Sequence, residues 1–174
     1  MSISRMSISK EERQTDTALA FQLMLQHVGD RRISECFFDS TEPPFNAIQR
    51  TTWTELQESN CVKPFLDSQH YCLSGSGWLQ ALHETGTTRD RAFLRAAEKL
   101  LASIKKHVKG RQGNERMVGL QTLARNSGLS ENWIYNAIES NLIEAQFSRQ
   151  GPTWVHGFEG IAIHVPITFG RELL

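Results

Sequence analysis

The spacing of apolar and polar residues predicts two long amphipathic helices, one in each half of the chain. The first runs from Lys10 to Val28, where apolar residues recur every three or four positions. The second runs from about Arg89 to Val108, with Thr87 or Thr88 as its cap, and its stripe consists of Phe93, Ala97, Leu100, Leu101, Ile104 and Val108. Since such a stripe is unstable in water, one face of the second helix must pack against the rest of the protein.

The stretch from Val118 to Ile138 predicts two short helices joined by a tight turn. Asn126 to Gly128 ends the first helix, because glycine tolerates the positive φ that follows a last helical turn. Ser130 is placed to cap the second helix through its side-chain oxygen. The apolar positions that would face each other are Leu120, Leu123 and Ala124 on the first helix and Ile134, Ala137 and Ile138 on the second.

Three extended segments are predicted after these helices. Residues Leu142 to Phe147 alternate as a strand, and Thr153 to His156 extends again after a turn that contains Gly151 and Pro152. Residues Ile161 to Phe169 then return, with Pro166 restricting that piece to an edge or a bulge. The pattern therefore predicts helix, helix, turn, helix and β-hairpin in the second half of the chain.

The helical pair resembles the helix-turn-helix of bacterial winged-helix regulators, in which a Leu-Ala pair precedes a Gly-Leu-Ser turn and an aliphatic stripe. The matching residues are Leu123, Ala124, Gly128, Leu129, Ser130, Ile134 and Ile138. The resemblance covers about twenty residues, and any helical hairpin with a glycine turn would share part of it. It implies a recognition helix over residues 130–140 and a wing over residues 142–169.

A second, weaker resemblance lies in the first half. The stretch from His70 to Leu82 resembles the end of many winged-helix domains, where the last wing strand runs into a closing helix capped here by Ser74. We therefore expect an α+β fold of tandem winged-helix-like units, mostly helical with small antiparallel β-hairpin wings. The expected organisation is a disordered N-terminus over residues 1–9, a degenerate unit over 10–86 and a winged-helix domain with a long basic first helix over 87–174.

Charge is distributed very unevenly, although 19 Lys and Arg balance 19 Asp and Glu. Residues 88–125 hold ten basic against three acidic residues, a net +7, whereas residues 1–87 sum to −4 and residues 126–174 to −3. On the second long helix the bases are Arg91, Arg95, Lys99, Lys105, Lys106 and Lys109, with only Asp90 and Glu98 to pair with them. A solvated face and a polyanion-binding face both fit this pattern.

If the second unit binds double-stranded DNA as the resembled family does, its second short helix would enter the major groove. Asn132 and Asn136 could pair with adenine, and Tyr135 could reach a phosphate or stack. Most affinity would come from the phosphates. The candidate DNA-binding residues are Lys105, Lys106, Arg111, Arg116, Arg125, Ser130, Asn132, Tyr135, Asn136 and, at the wing tip, Arg149.

The same helix also carries features that oppose DNA binding. Glu131 and Glu139 are repelled by phosphate, and residues 126–148 contain no Lys or Arg. Acidic residues without neighbouring bases are more typical of a surface that docks on protein. The alternative is therefore an interaction or assembly module that uses a winged-helix fold without DNA binding, with Trp133 and Tyr135 as anchors for a protein partner.

Catalytic and metal chemistry find little support. The six histidines are scattered, and the sequence has no nucleophile elbow, phosphate loop or paired-carboxylate motif. Cys36, Cys61 and Cys72 include no C-x-x-C pair. We expect no enzyme activity, no cofactor and no metal.

No apolar run approaches the roughly 20 residues that span a bilayer, and the N-terminus lacks an apolar signal core. The expected function is thus that of a cytoplasmic DNA-binding protein in transcription regulation. A homodimer is expected, because one helix-turn-helix reads too short a site to be selective.

Overall fold

A computed structural model of the chain describes residues 9–142, 153–157 and 160–165. Its first helix, α1 (Lys10–Val28), has the predicted bounds. The Ser9 hydroxyl accepts a hydrogen bond from the Glu12 amide, and the Glu12 carboxylate accepts one from the Ser9 amide, which closes a capping box. Apart from Ser9, the N-terminus predicted to be disordered lies outside the described residues.

The first half continues with short strands around one helix. Strand β1 (Phe38–Asp39) precedes helix α2 (Arg50–Glu58), and β2 (Val62–Pro64) and β3 (His70–Leu73) follow it. Helix α3 (Gly75–Glu84) begins at Ser74, whose side chain accepts from the Gly77 amide as the sequence predicted. The three strands form an antiparallel sheet in the order β1-β3-β2, so the last strand lies in the middle.

The second half has a related but different order of elements, with two α-helices before its hairpin. Helix α4 (Arg91–Val108) and strand β4 (Met117–Gly119) precede α5 (Leu120–Ser127) and α6 (Glu131–Glu139). Strands β5 (Thr153–Gly157) and β6 (Gly160–His164) form a hairpin, and β6 also pairs with β4 in a sheet of order β4-β6-β5. The described chain is therefore a mixture of helices and two small antiparallel sheets, which is compatible with the α+β prediction.

Some predicted boundaries are wrong. A single 3₁₀ turn occupies Thr87–Arg89, so α4 begins two residues later than predicted and its N-cap is Asp90 rather than a threonine. Leu142, expected to open a strand, is helical and buried, and residues 143–152 of the expected wing lie outside the described residues. Strand β4 was not predicted, because three residues before a helix are too few to display alternation.

The predicted pair of short helices joined by a tight glycine turn is confirmed. Gly128 adopts φ +72°, and its amide donates to the carbonyl of Ala124 at the end of α5. The Ser130 side chain accepts from the Trp133 amide and caps α6. Among the predicted inward residues Leu123, Ile134 and Ala137 have no exposed surface. The local turn and the apolar stripe thus pack α5 against α6.

One continuous cluster of buried apolar residues extends through both halves. The predicted stripe of α4 belongs to it, and Ala97, Leu100 and Ile104 are completely buried. This stripe holds α4 in place while its opposite face meets solvent. Within the described part of the chain, no helix combines the length and hydropathy needed to cross a membrane.

Candidate nucleic-acid interface

Asn136, predicted to read DNA bases, is held by the first half of the chain. Its side chain is 3% exposed. The Ile33 amide donates to Asn136 Oδ1 at 2.9 Å, and Asn136 Nδ2 donates to the Arg31 carbonyl at 3.0 Å. Both ends of the side-chain amide are therefore satisfied by one short segment that follows α1.

A second amide, one helical turn earlier, contacts the same segment. Asn132 Nδ2 donates to the carbonyl of Asp30 at 2.9 Å, and Arg32 Nε donates to Asn132 Oδ1 at 3.1 Å. The Arg32 guanidinium also lies 3.7 Å from the Glu131 carboxylate and 5.1 Å from the centre of the Tyr135 ring. We call residues 30–33 the clamp segment, because its backbone and Arg32 together cover the polar face of α6.

Aromatic and backbone contacts reinforce this docking. The Trp133 ring meets Trp78 of α3 and Phe93 of α4 edge-on, with ring centres 6.4 and 6.0 Å apart. At Gly75, the first residue of α3, an added Cβ would lie 2.1 Å from the carbonyl oxygen of Glu139. The backbones of α3 and α6 thus approach as closely as only glycine permits.

These contacts correct the predicted exposure of the α6 surface. Asn136 is buried, so its predicted exposure to a DNA groove is wrong, whereas Asn132 and Tyr135 are half-buried against the clamp segment. Pairing of either asparagine with a base would require its bonds to the clamp segment to break. Trp133 is likewise half-buried between helices, which leaves little of it as an anchor for a separate protein partner.

Arg116 does not occupy the predicted phosphate-binding position either. Its side chain is 7% exposed, and Nε donates to the Val165 carbonyl at 2.8 Å. Nη1 lies 3.5 Å from the Val108 carbonyl and 3.4 Å from the Arg111 carbonyl. The guanidinium therefore joins the end of α4 to the second sheet, where carbonyl oxygens rather than phosphates satisfy it.

The cations of α4 behave differently. Its polar side, which we call the α4 cationic face, consists of Arg91, Arg95, Lys99, Lys105, Lys106 and Lys109, of which Lys105 is half-buried and the others exposed. Arg91, Arg95 and Lys99 follow one another at intervals of four residues, so they lie along one line of the helix. Within residues 9–142, 153–157 and 160–165, none of the six forms an ion pair.

The remaining predicted contacts surround this helix. Arg111 is exposed just beyond α4, and its Nη1 lies 3.1 Å from Nε2 of His107. Arg125 is exposed on α5, whereas Ser130 serves as the cap of α6. Arg149 lies outside the described residues. Of the ten predicted DNA-binding residues, Lys105, Lys106, Arg111 and Arg125 therefore present cationic side chains to solvent.

Sequence reasoning missed the clamp segment. Neither Asp30 nor Arg32 belongs to a motif that the sequence displays. The contacts join residues about one hundred positions apart in sequence, with separations of 100 to 105. No periodicity within either segment could reveal such a pairing.

The first sheet carries an exposed apolar and acidic hairpin. Phe37 stacks on Phe65 with ring centres 3.9 Å apart, and the adjacent Leu66 is 92% exposed. Amides of Gln69 and His70, followed by the His70 ring, donate to Asp67 and hold the pKa of its carboxyl below its ordinary value. Thr41 does the same for the pKa of Asp39 through its hydroxyl and amide.

Metal-ligating side chains are not grouped together in the part of the chain that the structure describes. No group of three or more His, Cys, Asp and Glu there could hold a metal ion. The three cysteines are free and buried, and burial raises the pKa of the Cys36 and Cys72 thiols. These thiols are therefore poor nucleophiles at neutral pH.

Comparison of the chain with protein-family models, with curated proteins and with solved structures found no match.

Proposed function

We propose that this chain binds nucleic acid through the α4 cationic face, which contacts the phosphate backbone. The observation that carries the proposal is the contrast between the two sides of α4. One side is buried in the core, and the other presents six cations without ion-pair partners among the described residues. Unpaired cations on a fixed helix gain more from a polyanion than paired ones, because no existing bond must be given up.

The dimensions of this face also support a polyanion. The 18 residues of α4 span about 27 Å at 1.5 Å per residue. Duplex DNA carries one strand phosphate about every 3.4 Å along its axis, so the helix is long enough to lie beside several phosphates. Arg111, just beyond the helix, extends the same cationic region.

The proposed architecture is a pair of winged-helix units. Each half runs from a long helix through a short strand and then one α-helix in the first half or two in the second to a β-hairpin, and each sheet has its last strand in the middle. These orders support the tandem arrangement that the sequence predicted. In the second unit α6 is the counterpart of a recognition helix, but its polar face contacts the first unit instead of solvent. Regulation of transcription and homodimer formation stay predictions.

The test is the salt dependence of binding to a labelled duplex of about 20 base pairs, measured by fluorescence anisotropy. The variant replaces Arg91, Arg95 and Lys99 by Gln. If all three contact phosphates, the slope of log K against log salt concentration should become shallower by about 2 to 3, at roughly 0.9 for each lost contact. The free chain should bind detectably at low salt and lose affinity steeply as salt rises.

The matched control replaces Lys10, Arg50 and Lys63 by Gln. These residues are exposed in the first half, and the control changes the net charge by the same amount. Its slope should equal that of the unaltered chain. Equal reductions of the slope in both variants would mean that only net charge matters. An unchanged slope in the α4 variant would eliminate this face as the binding surface.

A second candidate function is docking of a protein partner on the first sheet. The stacked Phe37 and Phe65 rings, together with the almost fully exposed Leu66, are unusual on a solvated hairpin. This observation favours the assembly alternative at a different place from the predicted Trp133 and Tyr135. Replacing Leu66 by Ser should then abolish binding of a protein partner and leave nucleic-acid binding unchanged.

A further inference from the structure

We infer that the nucleic acid bound by this chain is a duplex and that it is bound without regard to base sequence. The inference rests on the proposed function, since it names the ligand of the α4 cationic face. It depends on two further features: the hydrogen bonds that the polar face of α6 already makes, and the chemistry of the exposed side chains that lie between the cations of α4.

The first feature is that the clamp segment already occupies the amides that could read bases. Adenine presents an acceptor and a donor side by side in the major groove, which an asparagine amide can match. The Arg31 carbonyl and the Ile33 amide present the same pair to Asn136, at 3.0 and 2.9 Å. The clamp segment thus satisfies this side chain in the way an adenine edge would.

Releasing Asn136 from this arrangement would disturb much more than two hydrogen bonds. Ile33 is 1% exposed, Trp133 lies between Trp78 and Phe93, and Gly75 lies against the Glu139 backbone. Exposing α6 to a groove would separate all of these contacts at once. We therefore assign α6 to holding the two halves together, with base recognition excluded from its role.

The second feature is the chemistry of the α4 cationic face itself. The exposed residues of α4 other than its cations are Ala92, Leu94, Glu98 and Ala102, none of which is an amide or an aromatic side chain. Lys and Arg contacts to phosphate position a protein on a nucleic acid but carry no sequence information. Binding through this face should therefore be nearly equal for unrelated sequences.

The lack of aromatic residues on this face also separates duplex from single strand. Proteins that bind single strands combine a basic groove with aromatic rings on which the bases stack. Among residues 9–142 and 162–165, the exposed Phe, Tyr and Trp rings are Phe37 and Phe65, which stack on each other beside the first sheet. A straight helix with fixed cations suits the regular phosphate array of a duplex better than a flexible strand without stacking.

The experiment compares labelled duplexes of about 24 base pairs and unrelated sequence with single strands of the same length, all against the full chain. Affinities for the duplexes should differ by less than about tenfold, whereas specific binders favour their site by about a thousandfold or more. The single strands should bind at least about fivefold more weakly, since stacking contributes nothing to them here. Selection from a randomised duplex pool should enrich no motif.

Arg32→Ala provides the decisive variant, because it removes the contacts of that side chain to Asn132, Glu131 and Tyr135 and leaves the α4 cationic face unchanged. If α6 only holds the two halves together, this variant should bind duplexes with unchanged affinity and without sequence preference. It should unfold at a lower urea concentration than the unaltered chain. Asn132→Ala should behave in the same way.

Three outcomes would overturn the inference while the proposed function survives: a duplex preferred by more than about tenfold, single strands bound within about fivefold of duplexes, or a sequence preference that appears in Arg32→Ala. The last result would identify the clamp segment as a mask over a base-reading helix. Absence of duplex binding at low salt, or binding that the triple Gln variant of α4 leaves intact, would instead overturn the proposed function and this inference with it.

Discussion

Helices α4 and α6 belong to the same half of the chain, and each has one apolar and one polar face. The polar face of α6 is covered by the clamp segment, which bonds to both Asn132 and Asn136. The polar face of α4 is left in solvent with its cations unpaired among the described residues. A polar helix face is therefore available for binding only if no distant part of the chain has complementary groups for it.

This difference assigns separate roles to the two helices. The side-chain amides of α6 can pair with backbone N–H and C=O groups, so this helix can be held by hydrogen bonds to a peptide segment. The ammonium and guanidinium groups of α4 form no ion pair within the described chain, and burying them without partners would be costly. The resemblance to a regulator implied that α6 recognises DNA bases. In the structure, α6 holds the two halves together, whereas α4 presents the exposed charge.

The largest effect should come from Gly75→Ala, which directly disrupts the packing of α3 against α6. The added Cβ would lie 2.1 Å from the Glu139 carbonyl oxygen and 2.5 Å from its carbon, so one backbone must move. We expect a loss of about 3 kcal/mol in the free energy of unfolding, as for other overpacked sites. Urea unfolding monitored by Trp fluorescence measures it.

Gly119→Ala is the matched control, since an added Cβ there meets no atom within 4 Å and the backbone φ is −75°. Its stability should remain within about 0.5 kcal/mol of the unaltered chain. Equal stability of the two variants would contradict close docking of α3 on α6.

Asn136→Ala should have the next largest effect. It leaves the Ile33 amide and the Arg31 carbonyl without their partner in a buried setting, which costs about 2 to 3 kcal/mol. Asn132→Ala should cost about 1 kcal/mol or less, because water can replace the amide at a half-buried site. Urea midpoints of both variants provide the comparison. If Asn132 proved the more costly of the two, the burial assigned to Asn136 would be refuted.

The smallest effect concerns pH and the hairpin of the first half. Because the pKa of Asp67 is lowered in the folded chain, its carboxylate stabilises the fold above its ordinary pKa of 3.8, and this contribution is lost as pH falls through the lower folded value. Asp67→Asn keeps an acceptor for the Gln69 amide but cannot titrate. As the pH falls below the ordinary pKa of 3.8, the unaltered chain should therefore lose slightly more stability than this variant. Parallel curves would show that the carboxylate charge contributes nothing.

Local features of this fold could be predicted from the sequence, and distant contacts could not. The Ser130 cap of α6, the αL turn at Gly128 and the stripe of α4 all depend on residues within a few positions of one another. The burial of Arg116 and Asn136 depends on carbonyl and amide groups that only the folded chain brings near. Of the candidate site, the exposed cations of α4 could be predicted for the same reason. A helix that buries one apolar stripe leaves its opposite face in solvent.

The most direct test of the account is an amide chemical-shift map of the isotopically labelled full chain during titration with a duplex of about 24 base pairs at low salt. The account predicts that shifts concentrate in Arg91–Val108 and around Arg111, while amides of Glu131–Glu139 and the clamp segment keep their positions. Shifts concentrated in Glu131–Glu139, together with loss of the Ile33 amide's protection from exchange, would contradict it.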